Sequence, residues 1–223
     1  MNFKNFLVKS LAITTVVVAS MGANAGLLSL NGTEVKALDL NGTVSSFEEF
    51  YDYNGANTWS SNTGLEIANT VVLFTAELNN EYAIFATISA FDGGSKGSLL
   101  VSYLASNGSM LFVDDPDELV GTTGISFAYA ANRNDGFIFA GLDDSSWNFD
   151  LSLNNASNVT GVNYISFTDG SLTGAKESSS LAIGTNISIA NTTSSAVAVS
   201  APATAALFLL GLGFIGLRSR KTA

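Results

Sequence analysis

Through the middle of the chain, apolar and polar positions follow a period of two, broken at short intervals by turn residues. Trp147–Leu153 places an apolar residue at every second position, the pattern of a strand with one face buried. Thr70–Leu78 and Glu81–Phe91 are rich in β-branched and aromatic residues and are separated by Asn79-Asn80. Asparagine tolerates the left-handed backbone of a two-residue turn, so these runs predict a hairpin. Leu99–Leu104 and Met110–Val113 flank Asn107-Gly108, and Ile125–Ala130 and Phe137–Ala140 flank Asp135-Gly136. Both dipeptides predict further hairpins. Val162–Phe167 is another strand, stopped at Asp169-Gly170. Leu28–Thr33 is echoed by Leu38–Thr43, each with an Asn-Gly pair. Two copies are too few for a solenoid, and the echo predicts two successive hairpins. Helical periodicity is scarce, and proline occurs only at 116 and 202. The expected fold is all-β, an antiparallel β-sandwich or jelly-roll-like domain, with a helix added at each end.

Those helices come from a different kind of pattern. Lys4 and Lys9 precede a short apolar run, Leu11–Ala19, and then a small-x-small site with Ala23 and Ala25. This order is that of a secretory signal peptide, with cleavage before Gly26; the apolar run is too short to span a bilayer. Thr192–Ser200 is rich in Ser, Thr, Ala and Val and reads as a linker. Ala201–Leu217 is uncharged and mostly apolar, a helix of about 25 Å if regular. Arg218, Arg220 and Lys221 follow it and would stay on the cytoplasmic side. The expected organisation is a signal peptide at 1–25, an acidic β-domain at 26–191, a linker at 192–200 and a C-terminal segment at 201–223.

That last segment resembles the PEP-CTERM sorting signal: a motif, a short Gly-rich helix and a basic end, in order at the terminus. Where the family carries Pro-Glu-Pro, this chain carries Ala201-Pro202-Ala203. The resemblance is confined to the tail. It implies a Gram-negative bacterium, processing by signal peptidase and an exosortase-type sorting enzyme, and a transient inner-membrane intermediate. The implied destination is the cell surface or the extracellular matrix, in a setting of exopolysaccharide and biofilm. A glycosylphosphatidylinositol signal also sets small residues before an apolar tail, but such a tail ends apolar, not in Arg-Ser-Arg-Lys.

Composition narrows the chemistry. The chain has neither Cys nor His, which excludes disulfides, thiol nucleophiles and Ser-His-Asp catalysis. All 19 acidic residues lie between Glu34 and Glu177, with only Lys36, Lys96, Arg133 and Lys176 as bases in that stretch, a net charge of −15. Phosphate would be repelled, so nucleic acid is excluded as a partner. Two candidate sites emerge. Tyr51, Tyr53 and Trp59 have the composition of a glycan-stacking surface, against the plainer reading of aromatic core. Asp114, Asp115, Asp117 and Glu118 follow a strand and could ligate calcium through oxygen, or simply form an exposed turn around Pro116. No cofactor other than calcium is implied. Glycoside hydrolysis needs a carboxylate pair across a cleft, and among so many acids the sequence selects none. The expectation is a secreted, non-enzymatic β-sandwich protein of the matrix. The alternatives are a carbohydrate-binding module, with or without calcium, and a carboxylate-based polysaccharide-acting enzyme.

Overall fold

A computed structural model describes residues 27–53, 55, 60–90, 94–143 and 145–192. The signal segment with Ala23 and Ala25, the tail with Ala201, Pro202, Ala203, Arg218, Arg220 and Lys221, and Trp59 all lie outside the described residues. Among the described residues no helix is long and apolar enough to cross a membrane.

Among the described residues fourteen strands form two sheets. In chain order they are β1 (Leu27–Leu30), β2 (Thr33–Glu34), β3 (Leu38–Asp39), β4 (Thr70–Leu78), β5 (Glu81–Ser89), β6 (Ser98–Ala105), β7 (Ser109–Val113), β8 (Leu119–Val120), β9 (Gly124–Phe127), β10 (Asn134–Leu142), β11 (Trp147–Ser157), β12 (Gly161–Phe167), β13 (Lys176–Leu181) and β14 (Asn186–Thr192). One sheet runs β2-β1-β14-β11-β6-β9-β8. The other runs β13-β12-β4-β5-β10-β7, with β3 also on β4.

The all-β class holds. The pairing is not purely antiparallel, however: β12 lies parallel to β4 from Gly161↔Thr70 to Ile165↔Phe74, and β3 is parallel to β4 at Ala76 and Glu77. The hairpin at Asn79-Asn80 forms as the sequence predicts, with both residues left-handed (φ 55° and 63°). β1 and β2 form a second hairpin around Asn31-Gly32. Its echo does not: β3 has no returning partner strand, and Asn41 instead accepts a hydrogen bond from the Asn79 backbone at 2.8 Å, beside the β4–β5 turn.

Two other expected hairpins are corrected. Gly108 does turn the chain (φ 81°), but β6 and β7 then enter different sheets. Asp135-Gly136 is no turn at all; it lies inside β10, which pairs with β5 on one side and β7 on the other. Glycine serves there for close approach. A Cβ on Gly136 would overlap the Ala86 carbonyl oxygen and press on the Tyr51 hydroxyl.

The two sheets enclose one core between them, from Leu73, Ile84 and Phe137 on one side to Phe149, Leu151 and Ile189 on the other. A second core covers the outer face of the β4–β5–β10 sheet. It is capped by a short helix, α1 (Phe47–Tyr51), which Ser46 caps by accepting from the Glu49 backbone at 3.1 Å. Five residues do not hold a helix by themselves. Packing holds this one: Phe47 and Phe50 meet the ring of Phe85 edge-on, at 6.1 and 5.7 Å between centroids, and Phe85 stacks on Phe74 at 4.7 Å. Coverage on both faces explains why β4 and β5 read as near-continuous apolar runs, where β11 and β14 of the other sheet alternate.

Candidate functional site

β7 ends at Val113, and the chain turns through a single 3₁₀ turn, Pro116–Glu118, into β8. The Asp114 backbone N–H still donates to the Gly136 carbonyl at 3.1 Å, which keeps Asp114 against β10 after the strand has ended. The Glu118 N–H donates to the Asp115 carbonyl at 2.9 Å, and a Glu118 carboxylate oxygen, Oε1, accepts from the Ala128 backbone at 2.7 Å just beyond β9. These local bonds fold the acidic run back on the sheet. Asp114 and Glu118 are buried, whereas Asp115 and Asp117 are exposed. The four acids adjacent in sequence are therefore split, and only two turn inward.

Asp135 in β10 joins them. It is 4% exposed and lies near enough for the charge of Glu118 to act on it. Burial pushes the Asp114 carboxyl up to about 8. Burial, with the charges of Asp115 and Asp117, pushes Glu118 well above the carboxylate range, and burial, with the charges of Glu118 and Asp114, does the same to Asp135. Tyr51 of α1 stands beside Asp114 and Asp135, and burial together with their charges drives its hydroxyl well above the usual phenol range. Both Asp114 carboxylate oxygens, Glu118 Oε2, Asn134 Oδ1 and the Tyr51 hydroxyl are buried without a hydrogen-bond partner. A cavity of about 280 Å³ lies at this point, lined by Asp114, Asp115, Tyr129, Arg133, Asn134 and Asp135.

Of the expected calcium residues, then, the structure brings together Asp114 and Glu118, leaves Asp117 in solvent and sets Asp115 at the cavity wall. It adds Asp135 and Asn134, which the sequence hides because Asp-Gly reads as a turn. The available signal was parity. With Phe137 and Phe139 packed between the sheets, alternation gives Asp135 the same parity. As they stand, the acidic side chains are not arranged as a metal centre among the described residues.

The proposed glycan surface is corrected at Tyr51, which is fully buried with its ring 5.2 Å from that of Phe112. A ring enclosed on both faces cannot stack on a sugar. Tyr53 is half-buried against Phe112, 5.5 Å between centroids.

A larger recess of about 420 Å³ is lined by residues that include Glu34, Lys36, Asp39, Glu77 and Asp169, and the Lys36 Nζ donates to the Thr168 carbonyl at 3.0 Å.

The fold and the site define an all-β, two-sheet domain with a buried carboxyl cluster at one sheet end. No family model, curated protein or solved structure matches this chain.

Proposed function

We propose that this is an exported, non-enzymatic β-sandwich protein, sorted by its tail to the cell surface or to the extracellular matrix and exopolysaccharide layer. The terminal sequence signals supply the route, through signal peptidase, an exosortase-type enzyme and an inner-membrane intermediate. The observation that carries the reading is the way the chain enters and leaves the sandwich. The first strand, β1, pairs with the last, β14, from Leu27↔Thr192 to Leu30↔Ile189. Leu27, where the chain enters β1, and Thr192, where it leaves β14, face each other at the same end of this pairing. A domain whose ends emerge side by side can hang from a single attachment point with the rest of its surface free. It can equally be released whole by one cut in the linker.

The enzyme reading is weaker on geometry. Carboxyls raised toward neutrality are what a general acid requires. Here the unpartnered oxygens are sealed from solvent, out of reach of a polysaccharide chain. Intact mass and fractionation of the protein from its native host test the proposal. Loss of residues 1–25 and of the C-terminal segment, with recovery outside the inner membrane, is the expected result. A mature chain that keeps residues 201–223 and stays in the inner membrane overturns sorting by cleavage.

A further inference from the structure

We propose that Asn107 is a site of spontaneous covalent modification, at which the folded chain deamidates and isomerises its own backbone. Three complete Asn-Gly pairs lie within the described residues, at Asn31-Gly32, Asn41-Gly42 and Asn107-Gly108. Such pairs are open to this reaction because glycine has no side chain to shield its backbone nitrogen. The fold ties down two of the three. Asn31 Oδ1 accepts from the Ser188 backbone N–H at 2.8 Å, and the Asn31 N–H donates to the Ser188 carbonyl at 2.7 Å. Asn41 Oδ1 accepts from the Asn79 N–H at 2.8 Å, and its Nδ2 donates to Asp39 Oδ1 at 2.9 Å. Asn107 has no such anchor among the described residues. Its side chain accepts only from Ser106 Oγ at 3.4 Å, longer than a normal hydroxyl bond, and that same hydroxyl is shared with the Asn148 carbonyl at 3.5 Å.

An amide held this loosely is free to turn toward the next residue. The Gly108 backbone nitrogen attacks Cγ of Asn107 and closes a ring; the Cγ–Nδ2 bond breaks, and ammonia leaves with the proton that Gly108 gives up. Water then opens this succinimide at either carbonyl, giving aspartate or isoaspartate at position 107. One water enters and one ammonia leaves. The change adds a negative charge, and isoaspartate lengthens the main chain by one carbon. That carbon falls between two fixed points. On one side the Ser106 N–H donates to the Asn148 carbonyl at 3.0 Å, and the Asn148 N–H donates to Ser106 Oγ at 2.9 Å, which holds the chain on β11. On the other, Gly108 lies so close to β10 that a Cβ there would sit 2.6 Å from the Ala140 carbonyl oxygen. The longer backbone must break one of these contacts at the point where the chain passes from one sheet to the other.

The test holds the whole purified chain at about 37 °C and about pH 8, folded and in about 8 M urea, and follows the gain of about 1 Da at each Asn-Gly pair by peptide mapping. In the folded chain position 107 should convert at least about tenfold faster than positions 31 and 41, and in urea the three rates should fall within about threefold of one another. Asn54, also followed by glycine, is resolved separately by the map. Asn107→Gln, whose side chain would have to close a larger ring, keeps the fold and stops the reaction at that position. The fraction modified at 107 should melt below the fresh chain, and Asn107→Gln held for the same time should keep its Tm. Two results overturn the proposal. One is a folded chain in which position 107 is protected as strongly as 31 and 41. The other is a folded chain in which all three convert at the unfolded rate, because the fold then selects none of them. A modified fraction that melts with the fresh chain overturns the strain at the crossover.

Discussion

A single buried carboxyl, Asp114, sets a testable slope of stability against pH. Its ordinary value is 3.8, and burial raises it to about 8 in the folded protein. Between those limits the unfolded chain has lost this proton and the folded chain still holds it. The folded state binds more protons there, so its stability falls as pH rises. The contribution is complete below about pH 4 and is gone once pH passes about 8. Glu118 and Asp135, shifted the same way, act in the same direction. The protein should therefore unfold at lower urea concentration at pH 8 than at pH 5. Asp114→Asn should flatten that difference and raise the midpoint at pH 8. A parent that is more stable at pH 8 would mean that these carboxyls are ionised in the fold.

At the scale of elements, turn chemistry was legible and strand partnership was not. Asn79-Asn80 and Asn31-Gly32 specify tight left-handed turns, and in both places the strands on either side pair with each other as well as with other neighbours. Asn107-Gly108 specifies the turn equally well, but a dipeptide fixes only local backbone; β6 finds β9 and β11, and β7 finds β10. The parallel neighbours of β4 come from distant parts of the chain, which no local pattern reveals. β13, Lys176–Leu181, is a polar and largely exposed edge strand, without the alternation that marks a buried face. α1 is too short to show helical periodicity and exists because Phe47, Phe50 and Tyr51 have a sheet face to cover. Gly136 separates the two readings of β10. Inside a central strand against Ala86 and Tyr51, Gly136→Ala should cost about 2–4 kcal/mol in urea unfolding, because the added methyl has no space. A loss below about 0.5 kcal/mol, as at an ordinary surface position, would take β10 off β5 at this point.

At the scale of the whole molecule, the acidic composition and the buried cluster form one account. A chain carrying −15 between Glu34 and Glu177 repels itself, and burial that keeps Asp114, Glu118 and Asp135 protonated relieves part of that repulsion. The candidate site was half legible. Asp114 and Glu118 stood out as part of an acidic run, whereas Asp135 and Asn134 became visible only when β10 was seen to pass beneath that run. The most direct measurement is a titration of the side-chain carboxyls by ¹³C NMR. Asp114 should titrate near 8, and Glu118 and Asp135 well above the exposed carboxyls. If the three titrate with the other carboxyls in the ordinary acid range, burial does not hold them protonated and the account of the cluster fails.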